Sequence, residues 1–140
     1  MSTWARRAEP GDPAGIFDLG TTYRRPAHAR GQLLVGDDSA LPAILTILDS
    51  TPPSLPTKVL LTVASPADIR PGIDAHWITD TSALDAVRDA TLPDGPFYTW
   101  IAGESRLATS VRRHLVNDRG VPKRDISFVG YWRLGRSSPG

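Results

Sequence analysis

A glycine followed by polar residues marks the first segment suited to ligand binding, Gly36-Asp37-Asp38-Ser39-Ala40. It follows an apolar run and precedes a helical pattern, so its backbone N–H groups would face a bound phosphate. The G-x-G-x-x-G dinucleotide fingerprint is absent, and two adjacent aspartates repel phosphate. Phosphate binding and a plain strand-to-helix turn with capping acids both remain open.

A second segment of the same kind is Gly103-Glu104-Ser105. Gly103 would leave room for a flat ring or a ribose, to which Glu104 and Ser105 offer hydrogen-bond acceptors. The alternative is that Ser105 caps the following helix while Glu104 interacts with the helix dipole.

Two further groups of residues have weaker patterns. Ser65 and Arg70 follow another apolar run, and a hydroxyl with a guanidinium fork suits the 2′-phosphate of a nicotinamide dinucleotide. An ordinary proline-containing loop explains these two residues equally well. Near the C-terminus, Tyr131 and Trp132 could stack on a flat ring or fix the chain end to the sheet edge.

Composition excludes several function classes. The 140 residues contain no cysteine, which removes disulfides, thiolate metal sites and cysteine nucleophiles. The three histidines share no ligand-like spacing and no serine lies in a nucleophile-elbow context, so we assign neither a metal site nor a catalytic residue. The net charge of +1 argues against nucleic acid. With no apolar run of membrane-spanning length and no secretory signal, we expect a cytoplasmic chain without a membrane partner.

Alternating strand and helix patterns position these segments. Short apolar runs at 32–35, 58–63, 76–79, 97–102 and 126–129 predict five strands. Helical spacing after Ser39, after Asp80–Ser82 and through residues 107–115 predicts three helices, with Ser39 as the cap of the first. We therefore predict a three-layer, Rossmann-like α/β sandwich with a mostly parallel sheet of about five strands. Ligands of such sheets bind beyond the carboxyl ends of the strands.

The motifs in this order resemble those of siderophore-interacting proteins, a ferric-siderophore reductase family within the ferredoxin–NADP reductase-like superfamily. Residues 34–44 resemble the family's GDETALPAI segment, Trp100–Glu104 its WxAGE strand end, and residues 130–136 its GYWRxGR ending. The likeness runs from about residue 32 to 136. It implies the ferredoxin-reductase type of nucleotide-binding domain at 32–136, with residues 137–140 as a tail.

Family membership implies NAD(P)H binding and hydride transfer to FAD, followed by reduction of a ferric siderophore. Carried over residue by residue, Gly36–Ala40, Gly103 and Glu104 would contact the nucleotide. Tyr131 and Trp132 would approach the flavin, and Arg133 and Arg136 the anionic siderophore.

Residues 1–31 resemble the end of the family's flavin-binding barrel and its linker, and the rest of that barrel has no counterpart in this sequence. FAD binding by this chain is therefore open. We expect either a homodimer or a barrel-bearing partner chain to cover apolar surface around Trp4, Phe17 and Leu19. The alternative function is a non-catalytic interaction protein that retains the fold.

Overall fold

The computed structural model describes residues 23–132, which form one five-stranded sheet with helices on both faces. The strands are β1 (Gln32–Asp37), β2 (Thr57–Thr62), β3 (His76–Ile78), β4 (Tyr98–Glu104) and β5 (Ile126–Trp132). The helices are α1 (Leu41–Ser50), α2 (Ala83–Asp89) and α3 (Ser105–Asp118). Three short 3-10 turns, Asp38–Ala40, Pro66–Asp68 and Lys123–Asp125, join them.

All strand pairs are parallel, and their order is β3-β2-β1-β4-β5. The chain moves outward from β1 to β3 and then crosses back to place β4 on the other side of β1. This order confirms the predicted Rossmann-like class, and it puts the switch point between β1 and β4.

Each face of the sheet has its own apolar core, as expected for strands covered on both sides. Leu33, Val35 and Ile101 face α2 and α3, whereas Leu34 and Trp100 face α1; all five side chains are fully buried. Consecutive residues of β1 alternate between the two cores because strand side chains alternate in direction.

Three strands continue further at their carboxyl ends than predicted, and β1 is one of them, since it includes Gly36 and ends at Asp37. β4 continues through Gly103 to Glu104, and β5 continues to Trp132. The predicted strand ends at residue 102, but the chain continues in β4 through Gly103, which has a positive φ of +135°. The register between β4 and β5 shifts at Gly103 and Glu104, which is a β-bulge.

Helix α1 starts later than the sequence indicated, because a 3-10 turn precedes it. The cap of that turn is Asp37, whose side chain accepts the N–H of Ser39, so the expectation that Ser39 caps is wrong. A carboxylate binds an N–H more strongly than a hydroxyl does. The helix ends at Ser50, and Pro42 lies in its first turn.

Candidate functional site

The carboxyl ends of three strands form one rim of the sheet. Gly36 pairs with Ala102, Gly103 pairs with Gly130, and Glu104 pairs with Trp132. The two predicted glycine-containing segments and the start of the C-terminal aromatic segment are therefore brought together at the switch point. This is the edge at which open α/β sheets bind ligands.

The centre of this rim is the carboxylate of Asp37, which is 7% exposed. Its Oδ1 accepts the N–H of Ser39 at 3.0 Å and also the Ser39 hydroxyl. Its Oδ2 accepts the N–H of Glu104 at 2.9 Å, across 67 residues of sequence. The Asp37 side chain thus joins the tips of β1 and β4, because it accepts a backbone N–H from each of them.

Protein atoms, rather than open space, lie against both rim glycines. A Cβ on Gly103 would come within 2.7 Å of the Asp37 carboxylate. A Cβ on Gly36 would come within 2.7 Å of the Ala40 Cβ and 2.9 Å of the Ala102 carbonyl oxygen. Asp37 fills the position that a Cβ of Gly103 would occupy, so a ring or ribose would have to approach Gly103 from another side. A ligand at this rim must lie outside the glycines.

Glu104 is the N-cap of α3. The alternative in which Ser105 caps this helix is therefore wrong. The Oε1 of Glu104 accepts the N–H of Leu107 at 3.1 Å. Ser105 instead packs beneath β5, where a Cβ on Gly130 would lie 2.5 Å from the Ser105 Oγ. Gly130 is therefore required by this contact between α3 and β5.

Among the described side chains, Tyr131 is the aromatic one at this rim, next to Gly130 in β5. It is half-buried beside the core under α1. Burial raises the pKa of its phenol, and the nearby Asp37 carboxylate raises that pKa further. Trp132 contributes its backbone to β5, while its side chain, Arg133 and Arg136 lie outside the described part of the chain.

A groove of about 530 Å³ lies between the start of α1 and the loop after β2. Arg70 lines it, together with the carboxylates Asp38 and Asp68. Ser65 stands just before, as the cap of the 3-10 turn: its Oγ accepts the N–H of Ala67 at 3.2 Å, and its own N–H donates to Asp68 at 3.2 Å. Arg70 thus lines the groove, whereas Ser65 is not among its lining residues and precedes two that are, Ala67 and Asp68.

A second groove, of about 440 Å³, lies on the opposite face of the sheet between the starts of α2 and α3. Its lining includes Thr62, Ser82, Glu104 and Arg106. Thr62 lines this groove and the next residue, Val63, lines the first, so the two grooves flank the end of β2. Sequence reasoning missed Arg106 because it lies in the first turn of α3, just before the apolar helical pattern at 107–115, where an arginine is ordinary.

The described residues offer neither a metal site nor a membrane-spanning helix. Residues 23–132 contain no group of three or more His, Asp or Glu side chains arranged to hold a metal ion. None of the helices in that range combines the length and apolar character needed to cross a bilayer.

The sheet order and the helices on both faces define a Rossmann-like α/β domain of the ferredoxin-reductase type. The family model described as "Siderophore-interacting protein" matches residues 29–135, and the chain belongs to this family.

Relatives extend the family assignment. The chain is 30% identical over 145 residues to the mycobactin import ATP-binding/permease protein IrtA of Mycolicibacterium smegmatis, covering 97% of this chain and 17% of IrtA. It is 24% identical over 141 residues to the NADPH-dependent ferric-chelate reductase of Escherichia coli, covering 94% of this chain and 55% of the reductase. A siderophore utilization protein from T. fusca superposes with a TM-score of 0.69 at 27% identity, covering 84% of this chain and 49% of that one.

The chain thus spans about half the length of the reductase and of the T. fusca protein, and a smaller part of IrtA.

Proposed function

We propose that residues 32–136 form the NAD(P)H-binding domain of a flavin-dependent ferric-siderophore reductase. The observation that supports this most is the pair of grooves on either side of the β2 carboxyl end, next to the switch point. A dinucleotide consists of two nucleosides joined by a diphosphate, and its length suits two grooves separated by one strand tip. The E. coli relative is named as an NADPH-dependent ferric-chelate reductase.

The residues present fit the dinucleotide on the outside of the rim. Asp37 fills the space over Gly103, so the cofactor would lie over the strand tips rather than between them. Asp37, Asp38, Ser39 and Glu104 would shape that surface. When bound, NAD(P)H supplies a hydride that a flavin accepts.

We assign the adenosine half to the groove that Arg70 lines. Arg70 is exposed, and its guanidinium would donate two parallel hydrogen bonds to a 2′-phosphate. The Ser65 Oγ accepts one hydrogen bond and keeps its own proton to donate to the same phosphate. Asp38 and Asp68 oppose a phosphate, so Arg70 is the residue on which NADPH binding depends.

The flavin is assigned to another part of the protein or to a partner chain. The described residues give its ring one neighbour at the rim, Tyr131, and the adjacent Asp37 carboxylate disfavours flavin phosphates. The described residues of this domain therefore do not fit FAD by themselves. Tyr131 and Trp132 would face a flavin brought to this rim, with Arg133 and Arg136 toward a ferric siderophore. A cytoplasmic location, where nicotinamide coenzymes are available, goes with this proposal.

The test is a titration of the protein with NADPH and NADH, followed by backbone amide shifts. We expect saturable shifts at the rim with both cofactors. Arg70→Ala should weaken NADPH binding roughly tenfold or more, because it removes a charge-assisted contact of about 1.5–3 kcal/mol, and should change NADH binding less than about twofold.

The matched control is Arg88→Ala, which removes an exposed arginine from α2 and should alter neither affinity. The absence of any shift at millimolar cofactor would refute the proposal.

A further inference from the structure

Nucleotide-binding folds of this type commonly bind a phosphate at the backbone N–H groups that follow a strand. At the tips of β1 and β4, two of these N–H groups already have an acceptor. The backbone N–H groups of Ser39 and Glu104 both donate to Asp37, at 3.0 and 2.9 Å. A phosphate placed there would have to displace a buried carboxylate and would meet its negative charge. If the domain binds a dinucleotide, as proposed above, the diphosphate must be held elsewhere on the rim.

Arg106 is the cation best placed to hold it. It lies in the first turn of α3, two residues after Glu104, and lines the groove between α2 and α3. Among residues 23–132, no carboxylate lies within ion-pair distance of its guanidinium. An exposed arginine without an acidic partner can present its fork of N–H donors to phosphate oxygens.

The neighbours of Arg106 in this groove are compatible with an anion. The Ser82 Oγ accepts the N–H of Asp85 at 3.1 Å and keeps its own proton to donate. The one carboxylate among the lining residues is Glu104, and its Oε1 is already paired with the N–H of Leu107 at the start of α3. Its negative charge is therefore offset by the positive end of that helix.

We propose that Arg106 binds the diphosphate of the dinucleotide, so that side chains of the groove replace the backbone donors that Asp37 occupies. Arg70 then recognises the 2′-phosphate, and Arg106 recognises the part that NADH and NADPH share. The two arginines have separable effects on affinity, which makes this division of roles testable.

The experiment titrates wild type and variants with NADH and with NADPH, and it includes inorganic pyrophosphate as a competitor. Arg106→Ala should weaken both cofactors by a similar factor, roughly tenfold, whereas Arg106→Lys should restore part of the loss. Pyrophosphate should displace cofactor from the wild type more effectively than it does from Arg106→Ala. Because Arg106 is exposed, its replacement should leave the melting temperature unchanged within about 1 °C.

The matched control is Arg113→Ala. Arg113 is an exposed arginine on the same helix that lines a neighbouring groove but not the one between α2 and α3. Its variant should bind both cofactors within about twofold of wild type. Equal losses in the two variants would indicate general attraction to a basic helix and would overturn the inference. An Arg106→Ala affinity within twofold of wild type would overturn it as well, whereas a wild type that binds neither cofactor would overturn the proposed function instead.

Discussion

Replacement of Asp37 tests whether its carboxylate joins the strand tips. In Asp37→Asn one oxygen remains for Ser39, and the amide then meets the N–H of Glu104, so one buried donor loses its acceptor. Such a loss costs about 1–3 kcal/mol. Asp37→Ala removes both acceptors, and since each is a charge-assisted bond of about 1.5–3 kcal/mol, we expect a loss of about 3–6 kcal/mol.

The assay is urea denaturation followed by tryptophan fluorescence, with Asp38→Asn as the control. Asp38 carries the same charge at the next position but is exposed, so its variant should change the free energy of unfolding by less than about 0.5 kcal/mol. A change that small in Asp37→Ala would refute the reasoning.

A double-mutant cycle with Gly103→Ala adds a sharper test. Gly103→Ala alone places a methyl group within 2.7 Å of the Asp37 carboxylate and strains a backbone with a φ of +135°. In the Asp37→Ala background the steric clash is relieved and only the strain remains, so the double variant should be at least about 1 kcal/mol more stable than the sum of the single effects. Additive effects would show that the two residues do not touch.

Two further predictions concern the packing of the sheet. Gly36→Ala forces a Cβ against Ala40 and the backbone of β4, so it should destabilise the domain by about 2 kcal/mol or more. Gly120→Ala, at a φ of +71° with open space around it, should cost about 1 kcal/mol. Thermal melts of the two variants compare these losses of stability. Burial raises the pKa of Tyr98, whose hydroxyl donates to Ser127 at 2.7 Å. The stability that this neutral phenol contributes is fully present below about pH 10 and should fall as the pH rises through the higher folded-state pKa. Tyr98→Phe should be less stable at neutral pH but should lose less stability in alkaline denaturation.

The parts of the fold that the sequence predicted are those set by local apolar pattern. Leu33, Leu34 and Val35 are consecutive and all buried, a pattern that indicates a strand covered on both faces before any tertiary contact is known. The spacing of Leu41, Ile44 and Leu48 placed α1 in the same way. The parallel order followed because short connections alternate with helices.

The contacts within the rim could not be predicted, because they join residues distant in sequence. Nothing near Asp37 indicates that its acceptors serve Glu104 across the sheet, or that its carboxylate occupies the space over Gly103. Glycine occurs at strand ends that are open to a ligand and at strand ends where neighbouring protein atoms leave no space for a side chain, and the sequence pattern does not distinguish these cases. Arg106 was missed for a related reason, since its groove is formed jointly by α2 and α3.

The hydrogen bond between Asp37 and Glu104 has a consequence for the order of folding. β1, β2 and β3 are consecutive in sequence and can associate early, but β4 must cross back over them before the carboxylate finds its second partner. Closing so long a loop has an entropic cost that local pairing does not have. The rim therefore forms after the first three strands, and a nascent chain that has released only those strands contains the residues of the groove that Arg70 lines but not Glu104 and Arg106 of the second groove.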